Sequence, residues 1–381
     1  MTDATSPEQY DDKPVASGKL AVASQRQLIW WAFKSHHLAM IALVVVVFLY
    51  IVAAAPGFFG INDPNAQNVR SPFHPPQELH WVDRDAEGGW SLRPYVYATM
   101  LTRDPETLAP VYQEDPAKKV YMGFFTPGYE YKILGLITWD IHFFAPQDPH
   151  TSVYLFGADR LGRCVLSRIV HGTQISLSVG LVGVVMSFLM GITIGGFAGY
   201  FGGKIDFVAE RVIEFVLSLP TIPIWLAMSA ALPADWSSVT NYFMITLVLA
   251  LTSWAHMARV VRGRFLSMRG EDFVQAARLD GASEGRVIFR HMLPSLTSHI
   301  IAAMTLAIPE MILAETALSF LGLGLQPPTI SWGVLLREAQ NVGAIQAAPW
   351  LLLPGAAVML AVVALNFLGD GLRDAADPYN K

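Results

Sequence analysis

The segment EDFVQAARLDGASEGRVIFRHMLP (Glu271–Pro294) is charged and helix-prone, whereas the segments on both sides of it are long, apolar and almost free of charge. A short polar helix–turn–helix between two segments long enough to cross a membrane is unusual. The rest of the chain supplies the context for it.

The composition indicates a membrane protein. The 381 residues are 53% hydrophobic and only 15% charged, whereas a soluble domain usually carries about 25% charged residues. Histidines aside, five long runs contain no side chain that is charged at neutral pH: 35–62, 169–203, 215–234, 236–258 and 339–369. A sixth run, 291–336, is interrupted only by Glu310 and Glu315. Because about 20 apolar residues span a bilayer, we predict an all-α polytopic membrane protein.

Several classes of function are disfavoured by the remaining composition. The net charge of −5 is spread along the chain, so no nucleic-acid partner is indicated. The single cysteine, Cys164, excludes an intrachain disulfide and a cysteine-built metal site, and it is interpreted as a small apolar residue. The ten histidines show no ligand spacing, so no metal site is predicted.

The first apolar run is predicted to be an uncleaved transmembrane helix. A signal peptide ending at VAAAPG is the alternative, but the leader before this run has 37 residues and contains acidic side chains. The run LAMIALVVVVFLYIVAAA (Leu38–Ala55) has 18 residues, which is longer than the apolar region of a typical signal peptide.

Six transmembrane helices are predicted, near residues 38–55, 175–199, 212–232, 241–261, 297–322 and 349–369. Lys and Arg gather in short loops on the cytoplasmic side. The loop that contains Glu271–Pro294 is rich in arginine. In loops 233–240 and 323–348, by contrast, Arg337 is the single Lys or Arg residue. The loop is therefore predicted to be cytoplasmic, and six spans place both termini in the cytoplasm as well.

Residues 56–171 are predicted to lie outside the cell membrane, with a lead-in helix at the interface before the second span. They hold ten Lys or Arg, but long translocated segments largely escape the charge rule. The alternating pattern in YKILGLITWDIHFF (131–144) predicts one or two strands. Two interpretations stay open for the segment: a folded cap without chemistry, or a docking surface for a partner.

Gly191, Gly195, Gly199 and Gly203 recur at every fourth position. On a helix they fall close to one face and let another backbone approach. Packing inside the subunit is the favoured interpretation, and a subunit interface is the alternative.

Within the opening segment, two short helices are predicted around a tight turn. The first runs from Glu271 to Leu279, and Ala276 with Ala277 forms a small patch that another surface can approach closely. Gly281 is expected to adopt a left-handed conformation that ends this helix. Ser283 is the predicted N-cap of a second helix, 284–292, which Pro294 is expected to stop.

This segment resembles the EAA loop of ABC importer permeases. The matching residues are Gln275-Ala276-Ala277, Gly281 and His291-Met292-Leu293-Pro294, with Gln275 where the motif has Glu. The segment LFGADRLGRCVLSRIVHGTQISLSVGL (155–181) is similar to a segment of the C-type subunits of peptide and nickel permeases. Cys164 stands where that family segment usually has Asp. GYFGGKIDFVAERVIEFVLSLP, ETALSFLGLGLQPPTISWG and APWLLLPGAAVMLAVVALNFLGDGLRDAADP extend the resemblance over residues 155–378.

The resemblance implies a type I ABC importer (MetI-like) permease fold over residues 172–370, with a coupling loop at 262–296 and cytoplasmic tails at 1–37 and 371–381. It also implies four kinds of partner: a homologous B-type permease, two cytoplasmic ATPases that bind ATP and Mg, an extracytoplasmic solute-binding protein, and the lipid of a bacterial inner membrane. In that setting, the helix pair is expected to seat in a groove of one ATPase. Its coupling residues are expected to be Gln275, Ala276, Ala277, Gly281, Ser283, His291, Leu293 and Pro294.

The sequence shows no recognisable ATP-hydrolysing site. The segment YFGGKID lacks the first Gly and the Ser/Thr of a phosphate-binding loop, and no catalytic constellation is recognisable. The rival hypothesis is an intramembrane hydrolase that uses Glu310, Glu315 or His299, since carboxylates in membranes are functional candidates. Glu310 and Glu315 are five residues apart and so do not share a helix face well. A receptor that does not transport is a third hypothesis.

Glu315 matches the family pattern EASLSFLG, whereas Glu310 has no place in it. Both a structural and a gating role stay open for Glu315. The cargo is not named by the sequence: peptides are the family default, and nickel chelates, opines and sugars are alternatives.

Overall fold

The computed structural model describes residues 25–84, 90–103, 105, 110–133, 135–233 and 235–376. Long helices form most of it, and the strands are inserted between the helices Pro56–Phe59 and Val165–Phe201. The helices are α1 Gln25–Ser35, α2 His37–Ala54, α3 Pro56–Phe59, α4 Val165–Phe201, α5 Gly203–Ser218, α6 Thr221–Ala230, α7 Ser238–Met268, α8 Asp272–Leu279, α9 Glu284–Arg286, α10 Thr297–Phe320, α11 Trp332–Leu336, α12 Val342–Ala347 and α13 Leu353–Ala376.

Within the described residues, five helices are long and apolar enough to cross a membrane: His37–Ala54, Val165–Phe201, Ser238–Met268, Glu284–Phe320 and Pro349–Ala375. Two of the predicted spans begin earlier than expected. Residues 165–171, which belong to the segment predicted to contain an interfacial lead-in helix, are the first turns of α4, and the fifth span continues back to Glu284.

The third predicted span, 212–232, is wrong as a single straight helix. The structure has α5 and α6 there instead, bent by 86° with respect to each other. Pro220 explains the break, since it lacks an N–H and disfavours helical geometry in the residue before it. Leu219 accordingly has φ −81° and ψ 137°, which is extended backbone. The described residues contain six spans only if this bent pair counts as one of them.

The main core forms where α4 packs along α7, and where α13 packs against both α10 and α2. Glycines permit the closest approach between α4 and α7. A Cβ atom on Gly191 would lie 2.8 Å from the carbonyl oxygen of Trp254, and one on Gly199 would lie 2.6 Å from that of Arg262. Gly195 faces the backbone of Ala258 in the same way. Three members of the glycine ladder therefore pack inside the subunit.

Gly203 does not belong to this contact. It lies beyond the end of α4, has φ +58°, and a Cβ atom there would meet nothing within 4 Å. The four-residue spacing continues in the sequence, but the helix ends at Phe201, so the shared face ends with it.

The inserted segment contains more sheet than predicted. β3 (Tyr95–Arg103), β4 (Pro110–Ile133) and β5 (Ile137–Pro146) form an antiparallel sheet in the order β3-β4-β5. The strands predicted within 131–144 are confirmed as the end of β4 and most of β5, joined at Gly135, which has φ +74°. The all-α description therefore holds for the membrane part only. A separate two-stranded sheet pairs β1 (Asp83–Arg84) with β2 (Trp90–Ser91).

The sheet and the helix pair lie near opposite ends of α4. At its first turns, Ser167 accepts hydrogen bonds from the backbone of Ile61 and Asn62, which lead into the inserted segment. Near its last turn, Tyr200 contacts Arg278 of the helix pair. A helix of 37 residues is roughly 55 Å long at 1.5 Å per residue. These two ends are called the sheet end and the helix-pair end below.

Candidate functional site

Gly281 sets the geometry of the turn in the helix pair (Glu271–Pro294). Its φ is +76°, the left-handed conformation predicted for it. The N–H of Gly281 donates to the carbonyl of Arg278 at 3.0 Å, and the N–H of Ala282 donates to that of Ala277 at 3.1 Å. These two bonds define a Schellman motif, which satisfies the last free carbonyls of α8 and redirects the chain.

Pro294 does not end the second helix, contrary to the prediction. After α9 the chain forms a π-helical turn (Val287–Met292) and a 3-10 turn (Leu293–Leu296) that lead directly into α10. In the π turn the N–H of Leu293 donates to the carbonyl of Ile288, five residues back. The wider π turn and the tighter 3-10 turn accommodate a residue that lacks an N–H and would clash in a regular helix. The pair is thus continuous with the fifth span.

The remaining predicted coupling residues of the second half lie on its inner side or at its start. Ser283 occupies the N-cap position with extended backbone, and its carbonyl accepts the N–H of Val287 at 3.0 Å, but its hydroxyl makes no capping hydrogen bond. His291 and Leu293 are half-buried, and Leu293 packs against the main core.

The inner face of the helix pair belongs to the core of the membrane part. Its buried members are Val274, Ala277, Val287, Ile288 and Met292. Arg278 adds a polar link to α4, since its Nε donates to the hydroxyl of Tyr200 at 3.3 Å and its guanidinium carbon lies 4.7 Å from the centre of that ring. The pair is therefore held as part of the bundle rather than as a free loop.

The outer face of the helix pair is apolar at several positions. Leu279 is 88% exposed, and Phe273 and Ala276 of α8 are exposed with it, whereas the exposed Phe289 lies beside Phe197 of α4. The predicted alanine patch is split between the two faces, because Ala277 is only 7% exposed and contacts the core. Adjacent residues of a helix point in different directions. Ala277 therefore faces the core, and of the two alanines Ala276 is the one that a partner can contact.

Gln275 has a partner within the chain. Its Nε2 donates to the carbonyl of Arg269 at 3.0 Å and so links α8 to the end of α7. A glutamate, which stands here in the family motif, is acceptor-only when ionised and cannot make this hydrogen bond.

Glu315 is the centre of a buried hydrogen-bond network at the sheet end. Oε1 of the carboxylate accepts from the hydroxyls of Ser319 at 2.7 Å and Ser331 at 2.8 Å. Oε2 accepts from the hydroxyl of Ser176 at 3.4 Å. The side chain is fully buried, and the network joins α4, α10 and the segment before α11.

Each of the three serine oxygens also accepts a backbone N–H. Ser176 accepts from Trp332, Ser319 from Leu325, and Ser331 from Val334, at distances of 2.9–3.2 Å. Because each oxygen receives a backbone proton, its own hydroxyl proton is free to point at the carboxylate. The network therefore holds the segment that follows α10, including the buried Trp332, against the bundle.

The structure gives no support to a shared hydrolytic site on α10. Glu310 and His299 are exposed, whereas Glu315 is buried and its oxygens are engaged by hydroxyl groups. His299 precedes Glu315 by 16 residues on one helix, a rise of roughly 24 Å. The three side chains are therefore not brought together.

A second buried polar cluster at the sheet end was not predicted from the sequence. Asp159 accepts from Nε of Arg163 at 2.6 Å and lies 3.7 Å from Nε of Arg168, and Arg163 reaches Glu338 at 3.1 Å. Burial raises the pKa of Glu338, and the charge of Asp159 adds to this effect. The four-residue spacing of Asp159 and Arg163 was the only sequence signal for this cluster. Glu338 could not be linked to it, because it lies 175 residues after Arg163.

Two family models match the chain. The family described as binding-protein-dependent transport system inner membrane component matches residues 191–380. The family described as the N-terminal TM domain of oligopeptide transport permease C matches residues 24–76.

Curated relatives agree with these models. An inferred peptide permease protein of Brucella ovis is 39% identical over 241 residues, which are 63% of this chain and 78% of the relative. The oligopeptide transport system permease protein OppC of Bacillus subtilis is 31% identical over 263 residues, 68% of this chain and 81% of the relative. Among solved structures, a chain of the MetNI methionine ABC transporter is 16% identical, with a TM-score of 0.43, over 55% of this chain and 96% of its own length.

In the part of the chain that the structure describes, five or six apolar spans form a bundle, and the helix pair packs against one end of it; this is the architecture of a polytopic α-helical membrane protein. The chain belongs to the family of binding-protein-dependent transport system inner membrane components: it is the permease subunit of an ABC importer. ATPase and solute-binding partners follow from that membership in general terms.

Proposed function

We propose that this chain is the C-type half of a peptide importer. It pairs with a homologous B-type permease, receives peptides from an extracytoplasmic solute-binding protein, and is driven by two cytoplasmic ATPases that bind ATP and Mg. The chain has no ATPase site of its own. Relatives named as dipeptide and oligopeptide permeases support peptides as the cargo.

The outer face of the helix pair carries this proposal. Neighbouring exposed apolar side chains can mark a site of protein association, and here Phe273 and Leu279 are exposed on α8, directly before a turn whose geometry is set by backbone hydrogen bonds. The arginines of the surrounding loop support a cytoplasmic position. Both termini would then lie in the cytoplasm of a bacterial cell, on the inner membrane.

The continuity of the helix pair with the fifth span gives a route for movement. A partner that moves the pair acts directly on α10, since the chain stays helical from Glu284 to Phe320. It also acts on α4 through the contact of Arg278 with Tyr200. These two helices carry Glu315 and Ser176 at the opposite end, so they connect ATPase docking to the sheet end. ATP binding and hydrolysis would then shift the population between inward-open and outward-open states.

The experiment is reconstitution of the complete importer in vesicles with labelled dipeptides and pentapeptides. We expect ATP-dependent accumulation that requires the binding protein and that unlabelled peptides reduce. Uptake of a nickel chelate or a sugar in place of peptides would contradict the proposed cargo while leaving the importer class intact.

Leu279→Ser tests the docking face, and Leu321→Ser is the matched control. Leu279 and Leu321 are exposed leucines at the helix-pair end and the sheet end, respectively. We expect the ATPases to be lost on purification from Leu279→Ser only. Equal retention in both variants would contradict docking on this face.

A further inference from the structure

Five phenylalanine side chains form one cluster where the inserted sheet meets the first span. Phe58 and Phe59 lie in α3, directly after the span, and Phe124, Phe125 and Phe143 come from β4 and β5. Their ring centres lie 5.1–6.2 Å apart in the contacting pairs. These five residues are called the phenylalanine cluster.

The cluster is exposed rather than enclosed. Phe124 is 51% exposed and Phe125 is 63% exposed, and Phe143 is exposed beside them. Phe125 has φ +55°, a conformation that is rare for a bulky residue and that costs backbone strain.

The cluster continues the apolar surface of the first span without interruption. The ring of Phe48 in α2 lies 6.0 Å from that of Phe59. Phe48 is itself 54% exposed, and it lies on one outward stripe with Ile41, Val44 and Ile51. Positions three and four residues apart share a helix face, so the stripe runs along the span and ends at the cluster.

Contacts with α3 attach the sheet to the end of the first span, and they hold the phenylalanine cluster beside that span. His142 of β5 is buried, and its Nδ1 lies 2.7 Å from the carbonyl oxygen of Gly57 in α3. Its Nε2 lies 3.1 Å from the carbonyl oxygen of Tyr129 in β4. Gly57 also packs against Tyr131 so closely that a Cβ atom there would overlap the ring.

We propose that the phenylalanine cluster inserts into the bilayer at the boundary between head groups and acyl chains and anchors the inserted sheet to lipid. The five side chains have no charge and no hydrogen-bonding group, which suits hydrocarbon. Protein interfaces are also enriched in aromatic residues, but they combine them with Arg and with direct hydrogen bonds, and these five side chains supply neither. The continuity with the outward stripe of the first span places the cluster at the end of a membrane-spanning surface, where amphipathic elements bind lipid.

Spin labels at two positions of β4 test this in the assembled importer. Phe125→Cys reports on the cluster, and Gln113→Cys is the matched control, each in a Cys164→Ala background and in vesicles of phosphatidylethanolamine and phosphatidylglycerol. Gln113 is exposed on the same strand, 12 residues away, which is roughly 40 Å along a strand. Collisions with oxygen report lipid, and collisions with a water-soluble nickel chelate report water.

We expect oxygen to relax the label at Phe125 several-fold more than the nickel chelate does, with the opposite order at Gln113. A label at Phe125 that is reached by the nickel chelate would overturn the proposal, because the cluster would face water. A label that neither reagent reaches would overturn it as well, because a partner protein would cover the cluster. Phe124→Cys is the second reporter if Phe125→Cys does not assemble. The result of this test does not depend on which solute the importer carries.

Discussion

The helix pair and the network around Glu315 are both polar features of an apolar chain, but they are built in opposite ways. The helix pair is made from 24 consecutive residues, and its turn depends on backbone bonds among Ala277, Arg278, Gly281 and Ala282. The network unites Ser176, Glu315 and Ser331, which are as much as 155 positions apart in the chain. One feature is exposed and suited to a partner, and the other is buried and holds the bundle together.

This difference separates docking from internal stability. Variants of the outer face of the helix pair should spare the permease and weaken its partnership with the ATPases. Variants of the Glu315 network should instead damage the permease itself.

Glu315→Leu should destabilise the permease strongly. Three buried hydroxyls lose their shared acceptor, and each unsatisfied polar group costs on the order of 1–3 kcal/mol. We expect the free energy of unfolding to fall by roughly 3 kcal/mol or more, measured as thermal unfolding of the purified complex. Glu310→Leu is the matched control on the same helix and should stay near wild type, because Glu310 is exposed.

Glu315→Gln distinguishes a structural role from a gating role. The amide oxygen can still accept from Ser319 and Ser331, so we expect most stability and most peptide uptake to remain. Uptake abolished at unchanged thermal stability would show that the negative charge itself is required for gating.

Ala277→Leu should destabilise the permease, whereas Ala276→Leu should not. Ala277 is buried in the core and Ala276 is exposed, and overpacking a core costs about 1–3 kcal/mol. Thermal unfolding measures the first effect, and ATPase retention on purification measures any effect of Ala276→Leu. Equal loss of thermal stability in the two variants would refute the assignment of opposite faces.

Gln275→Glu should have the smallest effect. It removes the hydrogen bond to the carbonyl of Arg269, and a single hydrogen bond contributes about 1 kcal/mol net. We expect a small fall in thermal stability with uptake retained. A large loss of uptake would mean that the amide itself contacts a partner.

The helix pair could be predicted from the sequence because its signals are local. Gly281 follows a helical segment directly, and the left-handed turn there needs no residue from elsewhere. The continuation through Pro294 could not be predicted, since a proline normally ends a helix and the π turn before it has no recognisable sequence signal. The break at Pro220 was missed for the opposite reason: the run of apolar residues around it was long enough for a span.

The sheet end could be predicted only in part. Glu315 was recognised as a candidate because it is a carboxylate in an apolar run, but its serine donors lie in distant segments. The ion pairs of Asp159, Arg163 and Glu338 depend on the same kind of long-range assembly. The first half of the inserted sheet was missed because β3 and the start of β4 do not alternate regularly in hydrophobicity.

Gly281→Val tests whether the turn of the helix pair couples the permease to its ATPases, because it changes the turn without steric conflict. A Cβ atom there would meet nothing within 4 Å, but the backbone has φ +76°, which is strongly unfavourable for a β-branched residue. Gly281→Asn is the matched control, since Asn tolerates this conformation. We expect Gly281→Val to abolish peptide-stimulated ATP hydrolysis while expression and pairing with the second permease stay near normal, and we expect Gly281→Asn to retain most of the coupling. Normal stimulated hydrolysis in Gly281→Val would show that the turn does not couple the permease to the ATPases.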